Sequence, residues 1–168
     1  MNENAREQWA LRVEAAQAAM ASGELQKVVL ARSAAFTPVA TQRFDPLATA
    51  WALSTRQTHS TTFIIRRKDG QAFLGSSPEI LVHLKGDQVE TVALAGTRRR
   101  DPHSVHSDEA LSTDLLDSPK DRIEQHLVQT AIIEALRPHV SALSVPSSPV
   151  VARHPAVQHL RSTIRGQL

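Results

Sequence analysis

Between residues 119 and 136 the chain can bury one face of a helix, and that face carries a carboxylate. Wound at about 3.6 residues per turn, the segment lines up Leu127, Val128, Ala131, Ile132 and Ala135 as an apolar stripe. Glu124 falls close to the middle of the stripe, with Asp121 one turn earlier on the same side. Ser118 as N-cap and Pro119 at the first helical position set the start of the helix. Such a stripe must lie against a core, where an unpaired charge costs on the order of several kcal/mol. The fold therefore has to give Glu124 a cation, and a metal ion is one candidate.

The remaining sequence supplies elements for that helix to pack on. Residues 3–21 read as an amphipathic helix with Trp9, Val13, Ala16 and Met20 at helical spacing, stopped by Gly23. Residues 27–33 have the length and β-branched content of a strand. Asp45 followed by Pro46 predicts a helix over 45–56. Strands are expected at 61–67, 71–75, 79–84 and 88–95 as a meander, with turns at Lys68-Asp69-Gly70 and Lys85-Gly86-Asp87. After Gly96 the chain turns polar, then forms helices near 107–117 and 119–137. The tail, residues 138–168, holds four prolines and reads as extended, with few internal structure signals. This order predicts an α+β fold, an antiparallel sheet layered with helices, in one domain.

Composition removes several classes of function. The chain has no cysteine, so disulfides, thiolate zinc sites and a cysteine nucleophile are excluded. Nineteen Lys and Arg against 17 Asp and Glu leave a net charge of +2, and the one dense basic run, Arg98-Arg99-Arg100, has no interleaved aromatics. No nucleic-acid partner is expected. Apolar runs such as residues 92–95 are far too short to span a bilayer, and the first residues lack the layout of a signal peptide. A cytoplasmic protein with no membrane partner is the expectation.

Individual residues leave alternatives open. Asp121 and Glu124, at i and i+3, project from one helix face and suit a hard ion such as Mg²⁺. Asp121 equally suits a capping role three residues after Ser118, and Glu124 can pair with Lys120. Glu79, after Ser76-Ser77-Pro78, is either a general acid at a strand entrance or an exposed edge glutamate. Lys27 either snorkels at a sheet edge or sits in a cavity as a base. Ala95-Gly96-Thr97 is either a backbone anion cradle or an ordinary turn. The eight histidines show no metal-ligand spacing.

Five segments occur together in a known order. They are Lys27-Val28-Val29-Leu30-Ala31-Arg32, the run 73–81 (FLGSSPEIL), the run 93–100 (ALAGTRRR), the run 120–128 (KDRIEQHLV) and the run 157–166 (VQHLRSTIRG). They resemble the motifs of chorismate-utilising enzymes, a group that includes isochorismate, salicylate, anthranilate and aminodeoxychorismate synthases. The resemblance covers about 24–166. It implies a partial chorismate-binding domain over 1–168, an incomplete part of the α/β sandwich of anthranilate synthase component I-like proteins. Aminodeoxychorismate synthases typically carry a lysine nucleophile where this chain has Ala95, and anthranilate synthases a glutamine where it has Lys27. Lysine at 27 with alanine at 95 resembles the water-using branch, isochorismate synthase, with salicylate synthase its near relative.

The resemblance also implies roles. Mg²⁺, held by Glu124 and Asp121, would offset the ring carboxylate of chorismate. Lys27 would act neutral as the base for water attacking C2, and Glu79 would act protonated as the acid for the departing C4 hydroxyl, each the reverse of its ordinary state at pH 7. Ala95, Gly96, Thr97 and His159 would line the substrate. The product would feed menaquinone or siderophore synthesis. Family members continue into further arginine and glutamate motifs absent here. The expectation is thus little turnover from 1–168 alone, with a non-catalytic relic of the family as the alternative.

Overall fold

The computed structural model describes residues 3–39, 43–57 and 60–168. They form two compact units, residues 1–42 and 43–168. In the N-terminal unit, α1 (Glu3–Ala21) is the expected helix, closed by bonds from the amides of Gly23 and Leu25 to the carbonyls of Met20 and Ala19. The strand expected at 27–33 is not formed. The segment joins no ladder, and Val29 is exposed. β-branched content favours an extended backbone, but a strand also needs a neighbour for its N–H and C=O groups.

The second unit opens with α2 (Pro46–Arg56). Asp45 caps it as expected, its Oδ1 accepting from the amides of Leu47 and Ala48 at 2.8 and 3.1 Å. β1 (Thr61–Arg66) and β2 (Ala72–Ser77) make an antiparallel hairpin across the Lys68-Asp69-Gly70 turn. The expected meander breaks here: β1 and β2 form their own two-stranded sheet, and β2 does not pair with β3. β3 is only His83–Lys85, and residues 79–82 lead into it outside any strand.

The second sheet is built on β4 (Gln88–Arg99), longer than the expected 88–95. α3 (Val105–Asp117) and α4 (Pro119–Leu136) follow, then a 3-10 turn at Arg137–His139. The tail is not structureless. β5 (Ala142–Ser144), β6 (Val150–Arg153) and β7 (Val157–Gln167) all enter this sheet. β7 is its centre, antiparallel to β4 from Gln88↔Gln167 to Arg99↔Val157, while β5 and β6 pair with its other edge.

The helices cover one face of this sheet, with α4 against β4 and β7 and α3 against β4, β6 and β7. Alternation along β7 sends Gln158, Leu160, Ser162, Ile164 and Gly166 inward and leaves Arg161 and Arg165 exposed. Facing them are Val89, Ala93 and Ala95 of β4 and Leu115 of α3. α4 is turned away from the stripe expected for it: Asp121 and Gln125 are its buried residues, Ala131 and Ala135 are exposed, and Glu124 is half-buried beside the buried line. The turn follows from Gln125, whose Nε2 donates to Ala93 O and Ser162 Oγ, both at 3.1 Å. One buried amide thus ties the helix to both central strands.

Gly166 marks the closest approach in this layer, since a Cβ there would lie 2.7 Å from Val140 Cγ1 and 2.9 Å from Val89 Cγ1. Gly166→Ala is expected to cost about 1–3 kcal/mol by overpacking. Urea unfolding of the two proteins measures it, and equal midpoints would mean that this contact yields freely.

Candidate active site

The pairing of β4 with β7 is interrupted once, between Ala95 and Thr97. Ala95 faces Leu160 and Thr97 faces His159, leaving Gly96 as an extra residue, a β-bulge. Gly96 has φ of 74°, and a Cβ there would meet Asp121 Cβ at 3.0 Å and Leu115 Cδ1 at 3.3 Å. Glycine is therefore required both by conformation and by space. The bulge turns the Gly96 carbonyl toward His159, whose Nδ1 lies 3.1 Å from it and 3.0 Å from Thr97 Oγ1. A carbonyl can only accept, so the contact to Gly96 is a hydrogen bond when Nδ1 carries the proton. The His154 ring meets that of His159 edge-on, with centroids 5.5 Å apart.

Behind the bulge lies a cluster of charge. Arg98 directs Nε to Asp114 of α3 at 2.6 Å and NH2 to Asp121 of α4 at 3.0 Å, while NH1 donates to the Thr97 carbonyl at 3.1 Å. Asp114, then Asp121, hold the guanidinium pKa above its ordinary value. The side chain of Asp121 is thus engaged by Arg98, and its amide donates to Ser118 Oγ as the cap requires. Glu124 stands one turn further along the same helix.

A second node fastens α3. Buried Asp108 receives Nε and NH2 of Arg100, with NH2 at 2.8 Å, and the Asp101 amide at 3.0 Å, and Arg153 Nε stands 3.7 Å away. Arg153 also donates to Ser112, whose hydroxyl bonds Gln158 at 2.5 Å. Of the run Arg98-Arg99-Arg100, these contacts account for the first and third guanidiniums, which face the helices, while Arg99 is exposed.

The structure brings Ala95, Gly96, Thr97, His159 and Asp121 together, with Glu124 on the Asp121 helix. Ala95 is buried, 7% exposed. Glu79 is exposed just past β2, its amide donating to Ser77 Oγ at 3.3 Å. Lys27 is half-buried in the N-terminal unit. Arg98, Asp114, Gln125 and Asp108 escaped the sequence reading. The one available signal was strand alternation carried through the bulge, which places Arg98 and Arg100 on the helix side.

Among the described residues no three His, Asp or Glu side chains converge as a metal cluster. Hard divalent ions are often held by only one or two carboxylates plus substrate oxygens. Glu124, half-buried on α4, is a carboxylate of that kind. Asp121 is less suited, because Arg98 already occupies the cation position at its Oδ2.

With fold and site in place, the chain belongs to the chorismate binding enzyme family, whose sequence model matches residues 1–168. A salicylate biosynthesis isochorismate synthase of Pseudomonas aeruginosa is 38% identical over 163 residues, covering 97% of this chain and 33% of that protein. Isochorismate synthase EntC of Escherichia coli is 37% identical over 152 residues, covering 90% of this chain and 38% of EntC. A crystal structure described as the 2,3-dihydroxybenzoate-specific isochorismate synthase DhbC of Bacillus anthracis superposes with a TM-score of 0.70 at 34% identity, over 76% of this chain and 35% of that one. Anthranilate synthase component I of Streptococcus pneumoniae, at a TM-score of 0.60 and 24% identity over 76% of this chain and 27% of that one, shares the fold. The α+β expectation holds. The chain spans about a third of the length of the curated relatives it matches.

The Asp108 node has a pH signature. Arg100 first, then the Asp101 amide and Arg153, hold its carboxyl below the ordinary range against the opposing effect of burial. A depressed folded value adds stability above the unfolded value of about 3.9 and loses it as pH falls through the folded value. Asp108→Asn is expected to be less stable than the parent near pH 7 and to converge on it as pH falls through the depressed folded value. Urea midpoints across that range test this, and a gap constant with pH would assign Asp108 a role of shape rather than charge.

Proposed function

We propose that this chain is part of an isochorismate synthase, converting chorismate to isochorismate. The observation that carries the reading is the pairing of Ala95 with the Gly96 bulge. At the position where related enzymes keep a lysine nucleophile this chain has a buried methyl group, so the incoming group must be an external molecule. Lysine at 27 supports water as that molecule, and the identity to isochorismate synthases supports the same choice.

In this reading Lys27, neutral, takes a proton from water as its oxygen bonds to ring C2. The ring double bond shifts, the C4–O bond breaks, and Glu79 protonates the departing hydroxyl, which leaves as water. Solvent then resets both groups, so one water enters and one leaves. Thr97 and His159, oriented by the bulge, bind substrate oxygens. Glu124 would be the protein ligand of a Mg²⁺ ion, which when bound offsets the negative charge of the ring carboxylate. Asp121 would orient the first turn of the helix through Arg98. No described helix is long and apolar enough to cross a membrane, and a cytoplasmic setting accords with the absence of cysteine.

The test is a chimera in which residues 24–166 replace the matching stretch of an isochorismate synthase, assayed with chorismate and Mg²⁺ by NMR of the products. Isochorismate should form, and Lys27→Ala and Glu79→Gln should each lower the rate by about 100-fold or more. Release of pyruvate would move the assignment to salicylate synthesis. A folded chimera that binds chorismate without turning it over would leave only the non-catalytic reading.

A further inference from the structure

Arg98, the first residue of the basic run 98–100, touches both α3 and α4 as well as its own strand. Arg98 lies two residues beyond Gly96, on the face of β4 that meets the helices. Its three nitrogens point to Asp114 near the end of α3, Asp121 in the first turn of α4, and the carbonyl of Thr97 beside the bulge. Asp121 in turn lies directly under Gly96, whose missing Cβ leaves room for the aspartate's own Cβ. The bulge is therefore gripped twice, through the Thr97 carbonyl above and through Asp121 beneath.

We propose that Arg98 is a positioning residue: held between Asp114 and Asp121, it fixes the Gly96 bulge and, through it, the ring of His159 and the hydroxyl of Thr97. The chemistry favours arginine for the task. A guanidinium is planar and offers donors in several fixed directions, so one group can meet two carboxylates and a carbonyl, where a lysine ammonium acts as a single point. The side chain of Asp121 is 8% exposed. Without Arg98 its charge would be left buried and uncompensated, and the first turn of α4 would move to hydrate it. That movement removes the support of Gly96, and the carbonyl that orients the imidazole goes with it. The importance of this strut for chorismate chemistry rests on the function proposed above, whereas the strut itself rests on the contacts alone.

The experiment therefore uses the chain without substrate or metal. Nitrogen-15 NMR of the His159 ring reports which nitrogen holds the proton, and amide exchange reports the opening of Gly96 and Thr97. In the parent chain the proton should reside on Nδ1. In Arg98→Ala it should redistribute toward the mixture of an exposed histidine, with Gly96 and Thr97 amides exchanging about tenfold faster or more. Asp121→Asn should act in the same direction, and Arg98→Lys should restore overall stability more fully than the ring signature. Arg165→Ala is the control. It removes a 2.7 Å pair to Glu90 at the far end of the same ladder and should leave both readouts unchanged. A folded Arg98→Ala or Asp121→Asn protein with the parent's ring spectrum and exchange overturns the proposal, as does an equal response to Arg165→Ala. If Arg98→Ala does not fold, Asp121→Asn decides. Failure here would leave the assignment to chorismate standing, and a chimera without turnover would leave these spectra unaltered.

Discussion

The antiparallel ladder between β4 and β7 is the constraint on which the rest of the second unit depends. It runs the length of both strands and joins segments about 70 residues apart in the chain. α3 and α4 are strung between its two strands, and β5 and β6 attach to β7 alone. Closing this ladder confines both helices to one face and sets the height at which each inward side chain meets them. Long-range pairing of this kind costs loop entropy before it returns any contact, which is why the interface beneath it must be specific.

That specificity is largely polar. Beneath the sheet, Leu115, Leu160 and Ile164 supply the apolar burial, but between them stand Gln125, Gln158, Ser112, Ser162 and Asp121. Gln125 bridges to both strands, Gln158 joins Ser112 and the Arg99 carbonyl, and Asp121 joins Arg98. Leucines in these places would allow α4 to slide or rotate at small cost, whereas hydrogen bonds in a low dielectric hold one arrangement. The rotation matters because it brings Asp121 beneath Gly96 and puts Glu124 at the flank. Gln125 Oε1 is buried without a hydrogen-bond partner, so even this network is incomplete.

Local rules were legible where local physics decides. The Asp45 and Ser118 caps, the prolines after them and the Asp-Gly turn at residue 70 act within a few residues, and the elements they mark are present. One expected strand is absent and one unexpected strand is present, for opposite reasons. Residues 27–33 have the composition of a strand but no ladder, because pairing is decided elsewhere in the chain. β7 has a ladder but weak hydropathy alternation, because its buried face includes Gln158, Ser162 and Gly166. On α4 the bonds of Gln125 to Ser162 and to the Ala93 carbonyl displaced the expected stripe. Candidate site residues were legible as motifs, but the Arg98 and Gln125 contacts that hold several of them were not, since each partner is remote in sequence.

The bulge at Gly96 can also be viewed as an inserted residue. Ala95 and Thr97 already face Leu160 and His159, successive residues of β7, so a strand lacking Gly96 would continue in the same register. Sheet pairing by itself therefore gives no reason for this residue to exist. What it adds is one peptide group turned out of the ladder, a carbonyl serving an imidazole instead of a neighbouring strand. In length variants of β4, the fold and the orientation of His159 should therefore be separable, one carried by the residues on either side and the other by the single residue between them.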